Sequence, residues 1–293
     1  MTSAGEWMRN ELESQPQCWE RAAELAGETS LPSPGQRVAV IGCGTSWFMA
    51  QSYAALREQA GVGETDAFAA SEFPLDRDYD AVVAITRSGT TSEVLSAVAA
   101  LRGRTPVIGI VGDTETPFVD AVDSLIALPF ADERSVVQTR FATSALTLLR
   151  AQLGLDVDRS IADATSALQL RLPEEAVTAE QTTFLGTGWT IGLAHEAALK
   201  NREASQSWTE SYPAMDYRHG PIAIAAPNRV VWAFGPLPEG LAEQIEATGA
   251  GVVEPAIDPL ASLVLAQRVA LERALARGLD PDHPRSLARS VIL

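Results

Sequence analysis

The sequence predicts an α/β protein made of two tandem, doubly wound parallel sheets that follow an N-terminal helix. Three observations predict this fold class. Short apolar runs alternate with helical patterns, which is typical of a parallel sheet covered by helices on both faces. Small residues rich in Gly, Ser and Thr follow several of the runs. The pattern then restarts about halfway along the 293 residues, a length that one hydrophobic core seldom serves.

The first half supplies the elements of the first predicted sheet. Residues 8–26 are predicted to form an amphipathic helix interrupted near Pro16, and residues 31–36 form a break. The predicted strands are 38–42, 81–86, 106–112 and 124–130, and the helices that follow three of them end at Arg57, Leu101 and Leu153. In such sheets, ligands bind at the carboxyl ends of the strands.

The second half repeats the first. Residues 182–203 follow the pattern of residues 38–59, including Ala-Ala-Leu before a basic residue. Gly186, Gly188 and Thr190 take the places of Gly42, Gly44 and Ser46, and the apolar run 229–235 takes the place of 81–86. Two unrelated strand–glycine–helix units are the alternative, but the extended match favours duplication. We therefore predict a helical segment over 1–36, a first domain over 37–172 and a second over 173–293.

The composition excludes several classes of function. The formal net charge is -16, and Lys and Arg are not clustered, so no nucleic-acid partner is expected. No apolar run is long enough for a membrane span, and the polar, acidic start is unlike a signal peptide, so we expect a cytoplasmic protein. Two cysteines and three histidines without ligand spacing predict neither a disulfide framework nor a metal site.

Two loops have the composition of phosphate-binding loops. Residues 42–46, Gly-Cys-Gly-Thr-Ser, and 86–91, Thr-Arg-Ser-Gly-Thr-Thr, each lie between a predicted strand and a helix. Small residues let backbone N–H groups approach an anion, and hydroxyls and the helix dipole add to the attraction. The alternative for either loop is a tight turn with a helix cap. In the second half, residues 235–238 lack such hydroxyls, so the first half would hold the anion.

Four residues of the second half could carry proton transfer. Glu196, Lys200 and Glu203 share one face of a predicted helix, where a carboxylate beside a lysine suits a proton shuttle. A solvated face with an ion pair is the alternative. His219 lies in a Gly-Pro loop, and histidine is a side chain suited to proton transfer, although this one could equally bond the backbone. We expect the other two histidines to be structural.

Nearly the whole chain resembles the double-SIS (sugar isomerase) family, both the isomerase half of glutamine–fructose-6-phosphate transaminase and stand-alone glucosamine-6-phosphate deaminases. The segments that carry the resemblance are MRNELESQP (8–16), IGCGTS (41–46), ASEF (70–73), TRSGTT (86–91), SVVQTRFATSAL (135–146), EAALKNRE (196–203), DYRHGP (216–221) and DHPRSLARSV (282–291). The resemblance implies two flavodoxin-like three-layer α/β/α domains. No glutaminase half is seen, so we expect no use of glutamine as an ammonia source.

The resemblance also implies roles for individual residues. Phosphate binding falls on Ser46, Thr86, Arg87, Ser88 and Thr91. Thr45 and Val136 would line the sugar, Glu203 would move a proton between C1 and C2, and Glu196 and Lys200 would lie beside it. His219 would open the sugar ring from the neighbouring subunit of a homodimer. The tail near Arg289 would close over the substrate.

Three departures from the family pattern affect these roles. The usual Ser-Gln-Ser of the phosphate loop is Thr86-Arg87-Ser88, where Arg adds a cation that could pair with phosphate. The usual Ser-Thr-Lys after the fourth strand is Gln138-Thr139-Arg140. The tail lysine is Arg289, which stays protonated and cannot form an imine with a ketose.

The function expected from these residues is conversion of glucosamine 6-phosphate and water to fructose 6-phosphate and ammonia. The sugar phosphate is the expected partner, and neither a cofactor nor a metal is expected, because Glu203 and His219 suffice for ring opening and the proton shift. The alternatives are an aldose–ketose isomerase of another sugar phosphate and a non-catalytic sugar-phosphate sensor.

Overall fold

The computed structural model describes residues 3–293, which divide into two compact units. The five-stranded unit comprises Gln17–Arg134, Gln138–Val157 and Ala288–Leu293. The four-stranded unit comprises the described residues up to Pro16, then Ser135–Val137 and Asp158–Leu287. Contacts rather than chain order define these units, so they differ from the predicted domains. Residues 158–172, predicted in the first domain, lie in the four-stranded unit, and the C-terminal residues 288–293, predicted in the second, lie in the five-stranded unit.

The sheet of the five-stranded unit is entirely parallel, in the order β2-β1-β3-β4-β5. Its strands are β1 (Val38–Gly42), β2 (Thr65–Ala69), β3 (Ala81–Thr86), β4 (Val107–Val111) and β5 (Ser124–Ala127). Strands β1 and β3 are buried along their whole length, as in a parallel sheet covered on both faces. The strand order reverses between β1 and β3, and in such sheets this is the place where ligands bind.

Helices α3 (Thr45–Gln59), α4 (Ser92–Leu101) and α5 (Arg140–Gln152) complete this unit. Apolar residues of β1, β3, β4 and α4 form one core cluster, with Phe118 and Tyr79 also buried in it. Short 3₁₀ helices lie at Ala26–Glu28, Ala70–Glu72 and Pro129–Ala131. The predicted helix over 8–26 is divided near Pro16 into α1 (Glu6–Glu13) and α2 (Gln15–Leu25).

The four-stranded unit has a second parallel sheet, in the order β7-β6-β8-β9. Its strands are β6 (Gln181–Gly186), β7 (Trp208–Pro213), β8 (Arg229–Phe234) and β9 (Gly251–Val253). Its helices include α6 (Asp158–Ala167), α7 (Glu174–Thr178), α8 (Thr190–Ser205), α9 (Leu241–Glu246) and α10 (Pro259–Ala276), with 3₁₀ helices at Asp216–His219 and Pro221–Ile224. Across this sheet, the strands have the same arrangement as β2-β1-β3-β4 of the other sheet: the second strand in the chain pairs with the outer edge of the first, and the third and fourth follow on its other side.

The parallel-sheet α/β prediction is confirmed, and the helix predicted at residues 92–101 has those bounds. Strands β2, β7 and β9 were not predicted, and all three are edge strands. Within residues 3–293, no helix is both long and apolar enough to cross a membrane.

Candidate functional site

The loop after β1 brings two hydroxyls to the start of α3. Thr45 and Ser46 open the helix and are 4% and 3% exposed. A Cβ on Gly42 would lie 2.8 Å from the Cβ of Ser46, so only glycine lets the strand end this close to the helix. The helix begins without a side-chain cap, so no capping side chain competes with an anion there, although the N–H of Ser46 already donates to the Cys43 carbonyl at 3.1 Å.

The loop after β3 is organised by its own hydroxyls. The Thr86 hydroxyl accepts a hydrogen bond from the N–H of Gly89 at 3.2 Å. The Ser88 hydroxyl accepts one from the N–H of Thr90 at 3.3 Å and lies 3.4 Å from the Thr91 hydroxyl. Ser88 and Thr91 are thus paired beside the start of α4, which has no side-chain cap, whereas Thr86 bonds within the loop.

Arg87 has a defined partner within the five-stranded unit. Its side chain is 2% exposed, and its Nη2 donates a 2.7 Å hydrogen bond to the carbonyl oxygen of Arg289. The carbonyl of Arg87 accepts bonds from the N–H groups of Gly112 and Asp113, at 3.2 and 2.9 Å. The guanidinium therefore contacts the C-terminal tail, a partner that the sequence did not indicate.

Arg289 contacts two carboxylates. Its Nη1 lies 2.9 Å from an oxygen of Asp113, and its Nη2 lies 2.5 and 2.7 Å from the two oxygens of Asp132. Burial would raise the pKa of Asp113, but the hydrogen bond from Arg289, aided by the N–H of Glu115 and the charge of Arg289, holds it below its ordinary value. No motif in the sequence marks either aspartate.

Gln138-Thr139-Arg140, which replaces the Ser-Thr-Lys of the family pattern, lies at the start of α5. Glu133 is 2% exposed, and one of its oxygens accepts bonds from the N–H of Thr139 at 2.6 Å, its hydroxyl at 2.8 Å and the N–H of Arg140 at 2.9 Å. The Arg140 guanidinium donates to the carbonyl of Asp132. This set of bonds satisfies the helix start and fixes the backbone beside Asp132.

In the four-stranded unit, α8 brings together the three predicted charged residues. The side chains of Glu196 and Lys200 are each 1% exposed, and the Lys200 Nζ lies 3.6 Å from a Glu196 oxygen. Lys200 also forms a short ion pair with Glu203, whose side chain is 20% exposed. A solvated charged face is therefore wrong, because only Glu203 keeps contact with solvent.

Lys200 is the only lysine in the sequence, since all other members of the 22 Lys and Arg are arginines. A compact ammonium between two carboxylates is a role that the wider, planar guanidinium fills poorly. The single lysine of the composition is therefore a signal in the sequence that points to Lys200.

The remaining predicted residues have simpler surroundings. His219 ends a 3₁₀ helix and is exposed, while Val136 is half-buried and its N–H contacts the carbonyl of Asp282 at 3.4 Å. His195 is half-buried, 2.8 Å from the Ser211 hydroxyl, and burial together with the charge of Arg202 lowers its pKa. His283 pairs with Asp280 at 2.9 Å.

The second copy of the glycine loop is closed by its own hydroxyl. The Thr190 hydroxyl accepts from the N–H of Thr187 at 2.8 Å and donates to the carbonyl of Phe234 at 2.8 Å. Thr190 thus ties this turn to the end of β8, and anion binding in the first half stays a prediction. Within residues 3–293, no group of three His, Cys, Asp or Glu side chains is placed to hold a metal ion.

The chain is similar in sequence to curated proteins along most of its length. No family model matches the chain. The chain is 26% identical to the glutamine–fructose-6-phosphate aminotransferase (isomerizing) of Sulfurisphaera tokodaii, with 87% of the chain and 50% of that protein covered. It is 27% identical to the Zymomonas mobilis aminotransferase of the same name, with 97% and 58% covered. The chain thus spans about half the length of the curated relatives it matches.

Solved structures share the fold over nearly the entire chain. A glucosamine-6-phosphate deaminase from Thermotoga maritima superimposes with a TM-score of 0.83 at 24% identity, covering 97% of this chain and 99% of that one. A tagatose-6-phosphate ketose/aldose isomerase from Escherichia coli superimposes with a TM-score of 0.73 at 18% identity, covering 96% and 98%. At these identities the likeness establishes the fold alone.

Proposed function

We propose that this chain consists of two tandem SIS domains and is an amino-sugar-phosphate deaminase and isomerase. Glucosamine 6-phosphate and water would give fructose 6-phosphate and ammonia. The observation that carries the proposal is the Glu196–Lys200–Glu203 cluster, in which a buried lysine holds a carboxylate that keeps contact with solvent. The deaminase from Thermotoga maritima, which shares the fold, supports this choice of reaction.

The phosphate of the substrate is assigned to the five-stranded unit. Ser46, Ser88 and Thr91 supply hydroxyls at the starts of α3 and α4, where N–H groups and the helix dipoles favour an anion. The Thr86 hydroxyl accepts the N–H of Gly89, which shapes the loop and leaves its own O–H to donate to the phosphate. Neutral donors can bind a phosphate in a chain whose net charge of -16 repels anions at long range.

The proton transfers are assigned to the four-stranded unit. His219 assists ring opening, which gives an aldehyde at C1 and leaves the amine on C2. Glu203 takes the C2 proton to form an enaminol and returns a proton to C1, which leaves an imine at C2. Water adds to that imine, and ammonia departs from the resulting carbinolamine to give the ketone. Lys200 orients Glu203 through their ion pair.

This reaction requires no imine between the enzyme and the sugar. The tail carries Arg289 in place of lysine, and a guanidinium cannot condense with a ketone under these conditions. Since His219 is exposed on this chain, we further propose that it acts in a homodimer, on the substrate of the partner subunit. Light scattering of the purified protein would test the dimer, and a monomeric mass would contradict it.

The reaction is tested by incubating the protein with glucosamine 6-phosphate and assaying ammonia and fructose 6-phosphate separately. Equimolar release of both is expected, and Glu203→Gln should abolish it while the circular dichroism stays unchanged. Glu246→Gln is the matched control, because Glu246 is an exposed glutamate of the same unit. Full activity of the Glu203→Gln enzyme would refute the role of Glu203.

A plain aldose–ketose isomerase is the second candidate, favoured by the shared fold of the Escherichia coli enzyme and by a proton shift that needs only Glu203. Interconversion of a sugar phosphate without ammonia release would establish it. Binding of sugar phosphates without any turnover would instead indicate a sensor.

A further inference from the structure

The C-terminal residues 289–293 lie along the loop that follows β3, with a contact at nearly every residue. Within the five-stranded unit, the Arg289 carbonyl accepts from Arg87 at 2.7 Å, and the Ser290 hydroxyl lies 3.0 Å from that of Thr90. The Val291 carbonyl accepts from the N–H of Ser92 at 3.1 Å. The N–H of Leu293 donates to the Ser92 hydroxyl at 2.9 Å. The tail thus runs directly beside the loop proposed to bind phosphate.

One of these contacts involves the start of α4. Ser92 is the first residue of that helix, and its N–H belongs to the groups that have no partner within the helix. The tail carbonyl of Val291 satisfies this N–H, so the tail closes one side of the helix start. The Ser88 and Thr91 hydroxyls lie within the same five residues of chain. Displacing the tail would therefore loosen the residues assigned to phosphate.

The Arg289 side chain connects this tail to two loops that follow strands of the sheet. Asp113 follows β4, and Asp132 follows the 3₁₀ helix after β5. The guanidinium is 36% exposed and bridges carboxylates that are 26% and 31% exposed. A guanidinium presents several donors in a fixed plane and can bond two carboxylates at once, whereas an ammonium is a point charge.

We propose that Arg289 is a positioning residue: with Asp113 and Asp132 it forms a latch that holds residues 289–293 against the loop after β3. The latch keeps Ser88 and Thr91 in place for the phosphate, and in this respect the inference rests on the proposed function. Arg289 therefore acts on the ligand through the tail, which the resemblance places over the substrate, and does not bind the phosphate itself. Arg87 supports the latch by binding the tail backbone.

Hydrogen–deuterium exchange measures the latch without any substrate. Peptides that contain Ser92 and Leu293 should exchange at least tenfold faster in Arg289→Met and in Asp113→Asn/Asp132→Asn than in the unaltered protein. Arg289→Lys should fall between these extremes, since lysine restores the charge without the planar donor set. Arg285→Met is the control, because Arg285 is exposed and lies four residues earlier in the same terminal stretch. Unchanged exchange in Arg289→Met would overturn the latch.

Steady-state kinetics with glucosamine 6-phosphate separate a latch from direct phosphate binding. If Arg289 positions the loop, Arg289→Met and the double aspartate variant should both raise KM about tenfold, with kcat changed less. If Arg289 bound the phosphate directly, removing its carboxylates would lower KM while Arg289→Met raised it, and that result would overturn the proposal.

A protein that does not turn over glucosamine 6-phosphate would still report on the latch. Calorimetric binding of inorganic phosphate then replaces KM, with the same variants and the same expected order of affinities. Faster exchange with weakened phosphate binding would support the latch while the proposed reaction failed. Faster exchange with phosphate affinity unchanged in every variant would overturn the positioning role.

Discussion

Removing the ammonium of Lys200 is expected to destabilise the four-stranded unit strongly. Lys200 and Glu196 have side chains that are each 1% exposed, and their charged atoms lie 3.6 Å apart. Lys200→Met keeps most of the side-chain length but deletes the charge. Glu196 would then keep a buried negative charge without the lysine that now offsets it, and Glu203 would lose the ion pair that holds it.

The magnitude follows from the burial. Breaking a buried ion pair by removing one partner costs about 3–5 kcal/mol, because the remaining charge stays out of water. Whole domains have a free energy of unfolding of only about 5–15 kcal/mol, so this loss is a large fraction of the stability. At roughly 2–4 °C per kcal/mol, the unfolding temperature of the unit should fall by about 6–20 °C.

Urea denaturation followed by circular dichroism measures this change, with one transition fitted for each of the two units. Glu196→Gln/Lys200→Met is the matched variant, because it removes both charges and should recover part of the lost stability. A free energy of unfolding of Lys200→Met within 1 kcal/mol of the unaltered protein would refute the reasoning. So would a double variant less stable than the single one.

Three further predictions concern other parts of the molecule. The pKa of Asp113 is lowered in the folded state, so its ionised carboxylate stabilises the fold above the ordinary carboxyl pKa of about 4, and this stabilisation is lost as pH falls below that value. Urea denaturation at a series of acid pH values should show the loss, and the loss should be smaller in Arg289→Met. Gly89→Ala should destabilise the five-stranded unit by about 1–3 kcal/mol, because φ is +60° and the new Cβ would meet the side chain of Thr116; thermal unfolding measures it, and an unchanged midpoint would contradict it. Borohydride added with fructose 6-phosphate should leave the mass of the protein unchanged, and an adduct on Lys200, the only lysine, would show that the reaction passes through an enzyme imine.

The buried strands were predictable because their signal is local. Strands β1, β3, β4 and β8 are continuous apolar runs, which a two-sided parallel sheet requires. The edge strands β2, β7 and β9 are less buried and carry polar residues or are very short, so no apolar run marks them.

The candidate site also has features with a local sequence signal and features without one. The hydroxyl-rich loops at 42–46 and 86–91 and the spacing of Glu196, Lys200 and Glu203 were evident because each lies within a few residues of chain. The role of the tail was not evident. Arg289 in place of a lysine suggested only the loss of an imine-forming group, whereas the side chain contacts Asp113 and Asp132.

The sequence by itself therefore determined the α/β class, the two glycine loops and the shared face of the charged residues on α8, because periodicity and turn chemistry act between near neighbours. Only the tertiary structure decided that Lys200 is buried, since its exposure depends on what packs against the helix. Only the tertiary structure paired Arg289 with Asp132 and Asp113, which lie 157 and 176 residues earlier in the chain. Folding of the sheet brings these segments together, and a separation of this length leaves no local pattern in the sequence.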